Sequence, residues 1–462
     1  MPLGPDSPDA DLAPLSPWQS LAAHRASGVR LAFGVCWLVY ALARLTLLEA
    51  QQPSWWAFDA LLLAGAVLLI ARPGRLAWAT ICVALAGPLA FLGDWLTQSV
   101  ALLVVALTGL AFGERRGEQQ TAAMAAHHRV AIAIYALAAF HKLNTGFLDP
   151  TLSCGVHGWS RLVEELPPLA AIPMPGAAVA PLTLFAELGL AALVALAPGA
   201  ALVAWAVFHA PLTIALAPAF AFAVLPGIVA ALDPAVVAPP RRRATIGAAG
   251  AVAASVYLAL AAHPSPILAF KLALMCGVAT FAVVAGVIHK RSIRFDKFPR
   301  RAAAFALALF VLNGLTPYAG TQFQHTGAML SNLRIDDGCF NHLLVPESLP
   351  RLDPYVRIER ASMGNAESGT IGIFGESETK LLTILWSPSA LVRLQRNWCT
   401  ARTRPIALDF SYRGERWSVS DLCDPDTVLP VENGIFGGRA LFSGWLRFQK
   451  NLPRECPAAC VH

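Results

Sequence analysis

The sequence predicts an all-α polytopic membrane bundle of about 9–11 transmembrane helices with a small β-rich extracytoplasmic C-terminal domain. Hydrophobic residues make up 56% of the 462 and charged residues 14%, against roughly 45–50% and 25% in soluble domains. Apolar stretches of spanning length recur from Gly28 to about Thr316. The charge is also divided: residues 318–462 hold 15 basic and 15 acidic side chains, so the formal +6 belongs to the first 317. Disorder, a collagen-like repeat, a small disulfide scaffold and a single soluble globule are excluded, and the basic balance gives no case for nucleic acid. Three regions follow: a cytoplasmic segment over 1–27, a membrane domain over 28–317, and an aqueous domain over 318–462.

The acidic, proline-rich start MPLGPDSPDADLAPLSPW has no basic n-region, so no removable signal peptide is expected there. Spans are predicted near 28–48, 55–72, 76–93, 97–113, 128–144, 178–197, 200–216, 218–234, 245–262, 266–288 and 301–317. Alternate connections carry Arg25 and Arg30, Arg72 and Arg75, Arg115 and Arg116, Arg241 to Arg243, and the run from Lys290 to Arg301. The opposite ones carry Glu49, Asp94 and Asp149 or uncharged turns at Pro218 and Pro264. By the positive-inside rule the N-terminus is cytoplasmic and the C-terminal domain extracytoplasmic, as in a multi-pass protein of a cell inner membrane.

Beyond residue 318 the pattern changes. VRIERA (356–361), GTIGIFG (369–375) and IALDFSYRGERWSVS (406–420) alternate as strands do, with a turn at Arg413-Gly414. SPSALVRLQRNW (387–398) has helical spacing after a serine cap. Of nine cysteines, Cys36, Cys82 and Cys276 lie in apolar spans, and Cys154, Cys339, Cys399, Cys423, Cys456 and Cys460 fall on the extracytoplasmic side. Six cysteines in an oxidising compartment suit disulfides. Proximity in sequence favours Cys456 with Cys460 and Cys399 with Cys423, leaving Cys154 with Cys339. No His/Cys cluster has zinc spacing, so no metal is expected.

Ionisable groups inside spans are costly and are the first functional candidates: Arg44, Asp59, Lys142, Glu187, His209 and Lys271. His128, Tyr135 and Lys142 are spaced i, i+7, i+14 and share a helix face, with His141 on a neighbouring one. A half-buried Lys142 loses hydration, which favours its neutral, basic form, whereas a snorkelling lysine keeps its head in interfacial water. Glu187 near mid-span must be protonated, paired, for which Arg44 and Lys271 are candidates, or facing a cavity; Asp59 and Lys271 are a candidate ion pair. A P-loop, GxGxxG, HExxH and GxSxG are all missing from the chain.

The stretch A-F-H-K-L-N-T-G-F-L-D (139–149) resembles the segment that holds the active-site lysine in vitamin K-dependent gamma-glutamyl carboxylases. It is similar too to the bacterial HTTM (horizontally transferred transmembrane) proteins grouped with them. Phe208-His209 resembles the family's Phe-His. PYAGTQFQHTGAMLSNLRIDDGCFNHLLVP (317–346) resembles its passage from the last span into the external domain. The resemblance implies a lyase in which Lys142 is catalytic with His209 and Glu187, while His141, Tyr135, Met329 and Asn332 bind the cofactor. That cofactor is reduced vitamin K or a related menaquinol, with no metal. In the family a neutral lysine deprotonates a naphthohydroquinone, which reacts with dioxygen. The alkoxide so formed removes a γ-proton from peptidyl glutamate, and the carbanion captures carbon dioxide. The implied partners are the lipid bilayer and an exported peptide or protein.

Two features depart from the carboxylases. Thr97-Gln98 stands where they carry Asn-His, and the external domain is shorter. Another branch of the family implies a maturation factor that processes a secreted peptide without carboxylating it. A non-enzymatic scaffold or transporter is the third reading.

Overall fold

The computed structural model describes residues 17–47, 53–88, 90, 98–112, 116–215, 219–232, 239–260, 266–288, 299–320, 330–336, 339–349, 355–363, 378–400, 405–433, 451–458 and 460. A helix occupies each of the eleven predicted stretches. The first six are α1 (Pro17–Leu47), α2 (Pro53–Ala71), α3 (Arg75–Gly87), α4 (Ser99–Ala111), α5 (Arg116–His141) and, after two short helices, α8 (Gly176–Leu196). The remainder are α9 (Pro198–Ala215), α10 (Phe220–Val229), α11 (Pro239–Ala259), α12 (Pro266–Ile288) and α13 (Arg300–Leu315). The short helices, α6 (Thr145–Leu148) and α7 (Cys154–Glu165), follow α5 directly and were not anticipated.

Among the described residues, four helices are long and apolar enough to cross a membrane: Gly28–Leu45, Glu118–His141, Gly176–Leu196 and Ala269–Val287. The expectation of about 9–11 spanning helices is thus met in helix position, and among the described residues in length by four. α10 has 10 residues, about 15 Å at the helical rise against the roughly 30 Å of a bilayer core. Its residues from Ala221 to Val229 are all buried, so its apolar run reflects protein packing rather than lipid contact.

The core sits around Phe33, Trp37 and Trp78, whose rings meet edge-on or tilted at 5.9–6.5 Å with His127 of α5 beside them. α10 approaches α5 closely at Gly227, where an added Cβ would stand 2.6 Å from the His127 carbonyl oxygen. His127 Nε2 lies 2.8 Å from the Ala223 carbonyl and His128 Nδ1 3.2 Å from that of Gly227. Pro226 cannot donate within α10, and these rings satisfy two carbonyls flanking it. His128 therefore faces α10 and not Lys142's surroundings.

Arg44 and Asp59 form a buried ion pair at 2.5 Å between α1 and α2. Asp59 thus has Arg44 as a partner, and α2 packs chiefly on α1 and α3. Arg44→Met, which strips Asp59 of that partner, is expected to cost about 3–5 kcal/mol. Arg44→Met with Asp59→Leu is expected to recover most of it. Chemical unfolding in detergent checks this, and equal loss in both variants would contradict it.

The C-terminal part holds a five-stranded antiparallel sheet of order β4-β3-β1-β2-β5. Its strands are β1 (Val356–Met363), β2 (Ile384–Trp386), β3 (Ile406–Tyr412), β4 (Glu415–Val419) and β5 (Leu452–Pro453). Along β3 burial alternates, with Ile406, Leu408, Phe410 and Tyr412 inward. A bulge between Ile358 and Arg360 resets β1 so that Ala361 is buried too. Arg413 (φ 55°) and Gly414 (φ 81°) make the tight hairpin turn that their left-handed backbone favours. α14 (Glu378–Thr383) precedes β2, and Ser387 accepts from the Ala390 amide at the start of α15 (Pro388–Thr400). The strand expected over 369–375 lies outside the described residues.

All six candidate cysteines are bridged, as Cys154–Cys460, Cys339–Cys456 and Cys399–Cys423. The last agrees with expectation. The Cys456–Cys460 and Cys154–Cys339 pairings are corrected by how the tail is carried. β5 pairs with β2, and the buried Arg334 guanidinium donates to the carbonyls of Pro453 (2.8 Å) and Glu455 (3.3 Å). Cys456 is thereby brought to Cys339, and Cys460 joins Phe147, Cys154 and Ala180 in a small apolar cluster.

Candidate functional site

α5 ends at His141, and the chain turns through Lys142 to Asn144. The Lys142 amide still bonds back to the carbonyls of Ala138 (3.3 Å) and Ala139 (3.1 Å). Asn144, extended at φ −143°, caps α6 by accepting from the Phe147 amide at 2.7 Å. This short turn folds Phe147 back, so that its ring centroid lies 5.5 Å from Lys142 Nζ. Ser153 then caps α7 by accepting from Gly155.

Residues 330–336 and 339–345 clamp this turn from much later in the chain. The Asn144 amide donates to the carbonyls of His141 (2.7 Å) and Ser331 (2.6 Å), and its oxygen also accepts from Asn341 at 3.2 Å. Asn332, left-handed at φ 54°, accepts from the Cys154 amide at 2.5 Å and donates to the Leu152 carbonyl at 2.8 Å. His342 Nε2 lies 3.0 Å from the Phe140 carbonyl, and its Nδ1 accepts from the amides of Leu344 and Val345. These bonds assign a neutral ring protonated at Nε2.

Burial lowers the His342 pKa from its ordinary value, only partly offset by the Phe140 carbonyl. A depressed folded-state pKa gives stability that is present above the unfolded value, about 6.5, and lost as pH falls through the folded one. The unfolding midpoint is therefore expected to drop more steeply below about pH 6.5 in wild type than in His342→Gln. Identical profiles would contradict the assignment.

The turn positions Lys142 against α8. Its Nζ lies 2.8 Å from Glu187 Oε1, and the residues are 3% and 7% exposed. Neither Arg44 nor Lys271 partners Glu187; Lys142 does. The amine is thus dry, more deeply buried than its sequence position suggested, and bound to a carboxylate. Glu187 Oε2 has no hydrogen-bond partner. Tyr135, one helix face with Lys142, places its hydroxyl 2.7 Å from His209 Nε2 on α9.

These four side chains line one cavity of about 630 Å³. Its wall is otherwise apolar, with Phe147, Trp159 and Phe208 among the lining. Lys142 and Glu187 are the only charged side chains among the described residues around it. A mostly apolar pocket with a few convergent polar groups is the ordinary form of a small-molecule site. No protein-family model, curated protein or solved structure matches this chain. The site therefore rests on its own geometry.

The remaining candidates divide. His141 points away from the cavity: its Nδ1 is 2.8 Å from the Tyr318 hydroxyl, and the two rings stack at 5.5 Å. Asn332 supports the turn and α7 without lining the cavity. Met329 lies outside the described residues. Sequence reasoning missed Asn144 and Phe147, although Asn-Thr-Gly after a helix is a capping signal. It also missed α7, whose Gly155, Gly158 and Trp159 close one side of the cavity; no motif marks them.

Proposed function

We propose that this chain is an integral membrane enzyme in which Lys142 and Glu187 act together as the base on an acidic hydroxyl of a lipid-soluble quinol. That proton transfer would drive carboxylation or a related modification of an exported peptide. One observation carries the reading: a buried amine and carboxylate in contact at the polar end of an apolar cavity. Ammonium with carboxylate and amine with carboxylic acid hold the same number of protons. Glu187 can accept a proton from Lys142 across 2.8 Å, which bares the amine lone pair. The amine then takes the proton of a hydroxyl presented in the cavity, and the O–H bond breaks as the new N–H bond forms. A dry wall favours the exchange because it denies both groups water as an alternative partner. Tyr135 and His209 supply a second hydrogen-bonding couple in the same cavity, suited to orienting the far side of a bound ring.

A reduced naphthoquinone fits this donor set: apolar walls for its rings, and the unpartnered Glu187 Oε2 for a hydroxyl. When bound, such a quinol supplies, with dioxygen, a base far stronger than any side chain. The alternating charged loops and the bridged cysteines of the C-terminal part support an N-terminus in the cytoplasm and a C-terminal domain outside an inner membrane.

A second reading, peptide maturation without carboxylation, is favoured by Thr97-Gln98 at the place of the carboxylases' Asn-His. Vesicles holding the full chain, given reduced naphthoquinone, a glutamate-rich exported peptide and labelled carbon dioxide, separate the two. Label on the peptide that vanishes in Lys142→Ala supports carboxylation. Lys142-dependent quinol consumption without label supports the second reading, and neither activity in wild type overturns the proposal.

A further inference from the structure

We propose that the Cys154–Cys460 pair is a redox centre of the cavity: in its dithiol form it reduces a quinone held there to the quinol, and closes to the disulfide as it does so. The inference rests on the reading of the cavity as a quinol site and adds the reaction that supplies the reduced ligand.

Among the described residues around the cavity, Cys154 is the one cysteine. It is buried and shares the wall with Phe147, whose ring centroid lies 5.5 Å from Lys142 Nζ. Phe147, Cys154 and Cys460 pack in one apolar cluster. The bridge is therefore on the Lys142 side of the cavity, where the carbonyl oxygens of a quinone would find their polar partners. Cys399 and Cys423, by contrast, pack against the core of the sheet and do not line the cavity. The two sulfurs of the Cys154–Cys460 pair also face different surroundings. Cys154 fronts the ligand space, whereas Cys460 is only partly buried, so a thiol arriving from the aqueous side meets Cys460 first.

Both sulfurs are held where an opened pair can close again. The Cys154 amide donates to Asn332 at 2.5 Å, and Ser153 caps α7 by accepting from Gly155. The tail that carries Cys460 is tied by the Cys339–Cys456 bridge and by Arg334, which donates to the carbonyls of Pro453 and Glu455. The chemistry balances in two halves. An incoming dithiol attacks Cys460 and closes to its own disulfide, the Cys154–Cys460 bond breaks, and each freed sulfur takes up a proton. In the second half the two S–H bonds break and the S–S bond forms. The two electrons and two protons pass to the carbonyl oxygens of the quinone, which leaves as the quinol. Exported thiols are thus the reductant class, and the quinone is the oxidant.

The test uses the purified full chain in detergent, without oxygen, after reduction by a phosphine that is then removed. The probe is a dimethylnaphthoquinone with both quinone ring carbons substituted, so that thiols cannot add to it. Alkylation and peptide mapping follow which cysteines rejoin, and absorbance follows the quinone. Cys154 and Cys460 are expected to rejoin with loss of an equal amount of quinone, at least about tenfold faster than Cys399 and Cys423. Saturating dimethylnaphthalene, which has no carbonyl to reduce, is expected to slow that closure about tenfold and to leave the Cys399–Cys423 rate unchanged. The unreduced, folded chain gives a second measurement. It is expected to accelerate quinone reduction by a small dithiol, and Cys154→Ser with Cys460→Ser is expected to lose the acceleration. The inference is overturned if quinone leaves Cys154 and Cys460 reduced, if all bridges re-form at one rate, or if the serine variant accelerates as wild type does. Binding to the unreduced chain is scored separately by the shift of its unfolding midpoint. No shift would sink the quinol reading and this inference with it, whereas a shift without closure sinks the inference alone.

Discussion

Lys142→Ala is expected to abolish proton abstraction in the cavity and to destabilise the fold by about 3–5 kcal/mol at the same time. Both effects come from one geometry. The amine is the only cationic group among the described residues lining the cavity, and it lies 2.8 Å from a carboxylate that is 7% exposed. Removing it leaves Glu187 without the charge that compensates its burial. The two consequences separate in a double variant. Lys142→Met with Glu187→Leu replaces the pair by apolar side chains of similar bulk, a change that is often neutral or stabilising. Unfolding of that variant is expected near the wild-type midpoint, with activity still absent. A double variant as unstable as Lys142→Ala would mean that the pair is not the source of the cost, and a double variant with activity would remove Lys142 from the chemistry.

The bridges to the C-terminal tail have the next largest effect. Cys154–Cys460 spans 306 residues of sequence and Cys339–Cys456 spans 117. Loops of about 100 residues and more are those for which the chain-entropy model gives the largest stabilisation, near 4–5 kcal/mol. Cys154→Ser with Cys460→Ser is expected to cost about 2–5 kcal/mol. Because Cys154 begins α7 and lines the cavity, ligand affinity is expected to fall with it. Peptide mapping without reduction checks the connectivity directly: Cys154 joined to Cys460, and Cys339 to Cys456. A peptide in which Cys456 and Cys460 are joined to each other would contradict the fold of the tail.

Much of the fold was legible because its signals are local. Apolar runs marked the eleven helices from α1 to α5 and α8 to α13, though not α6, α7 or α14, and alternation with an Arg-Gly turn marked the β3–β4 hairpin. Span length was misread at α10, because burial against α5 and α1 asks for the same side chains as burial in lipid. The disulfide pairing was misread because nearness in sequence stood in for nearness in space. Arg334, 119 residues before Pro453, draws the tail back and decides it. At the site, Lys142, Glu187, His209 and Tyr135 stood out as polar groups in apolar surroundings, and they share one cavity. Their pairing did not stand out: nothing in the sequence says that Glu187 meets Lys142 and that Asp59 meets Arg44, since that depends on which helices pack together. Asn144 was hidden because it acts through four hydrogen bonds to distant or backbone partners.

The most direct test of a buried amine acting as base is optical. A hydroxynaphthalene probe absorbs at longer wavelength as its anion than as the neutral phenol. Bound to the wild-type cavity near neutral pH, it is expected to show the anion band, because Lys142 takes its proton while Glu187 remains beside the new ammonium. In Lys142→Met, bound at matched occupancy, only the neutral band is expected. The same anion fraction in both proteins would contradict the role assigned to Lys142.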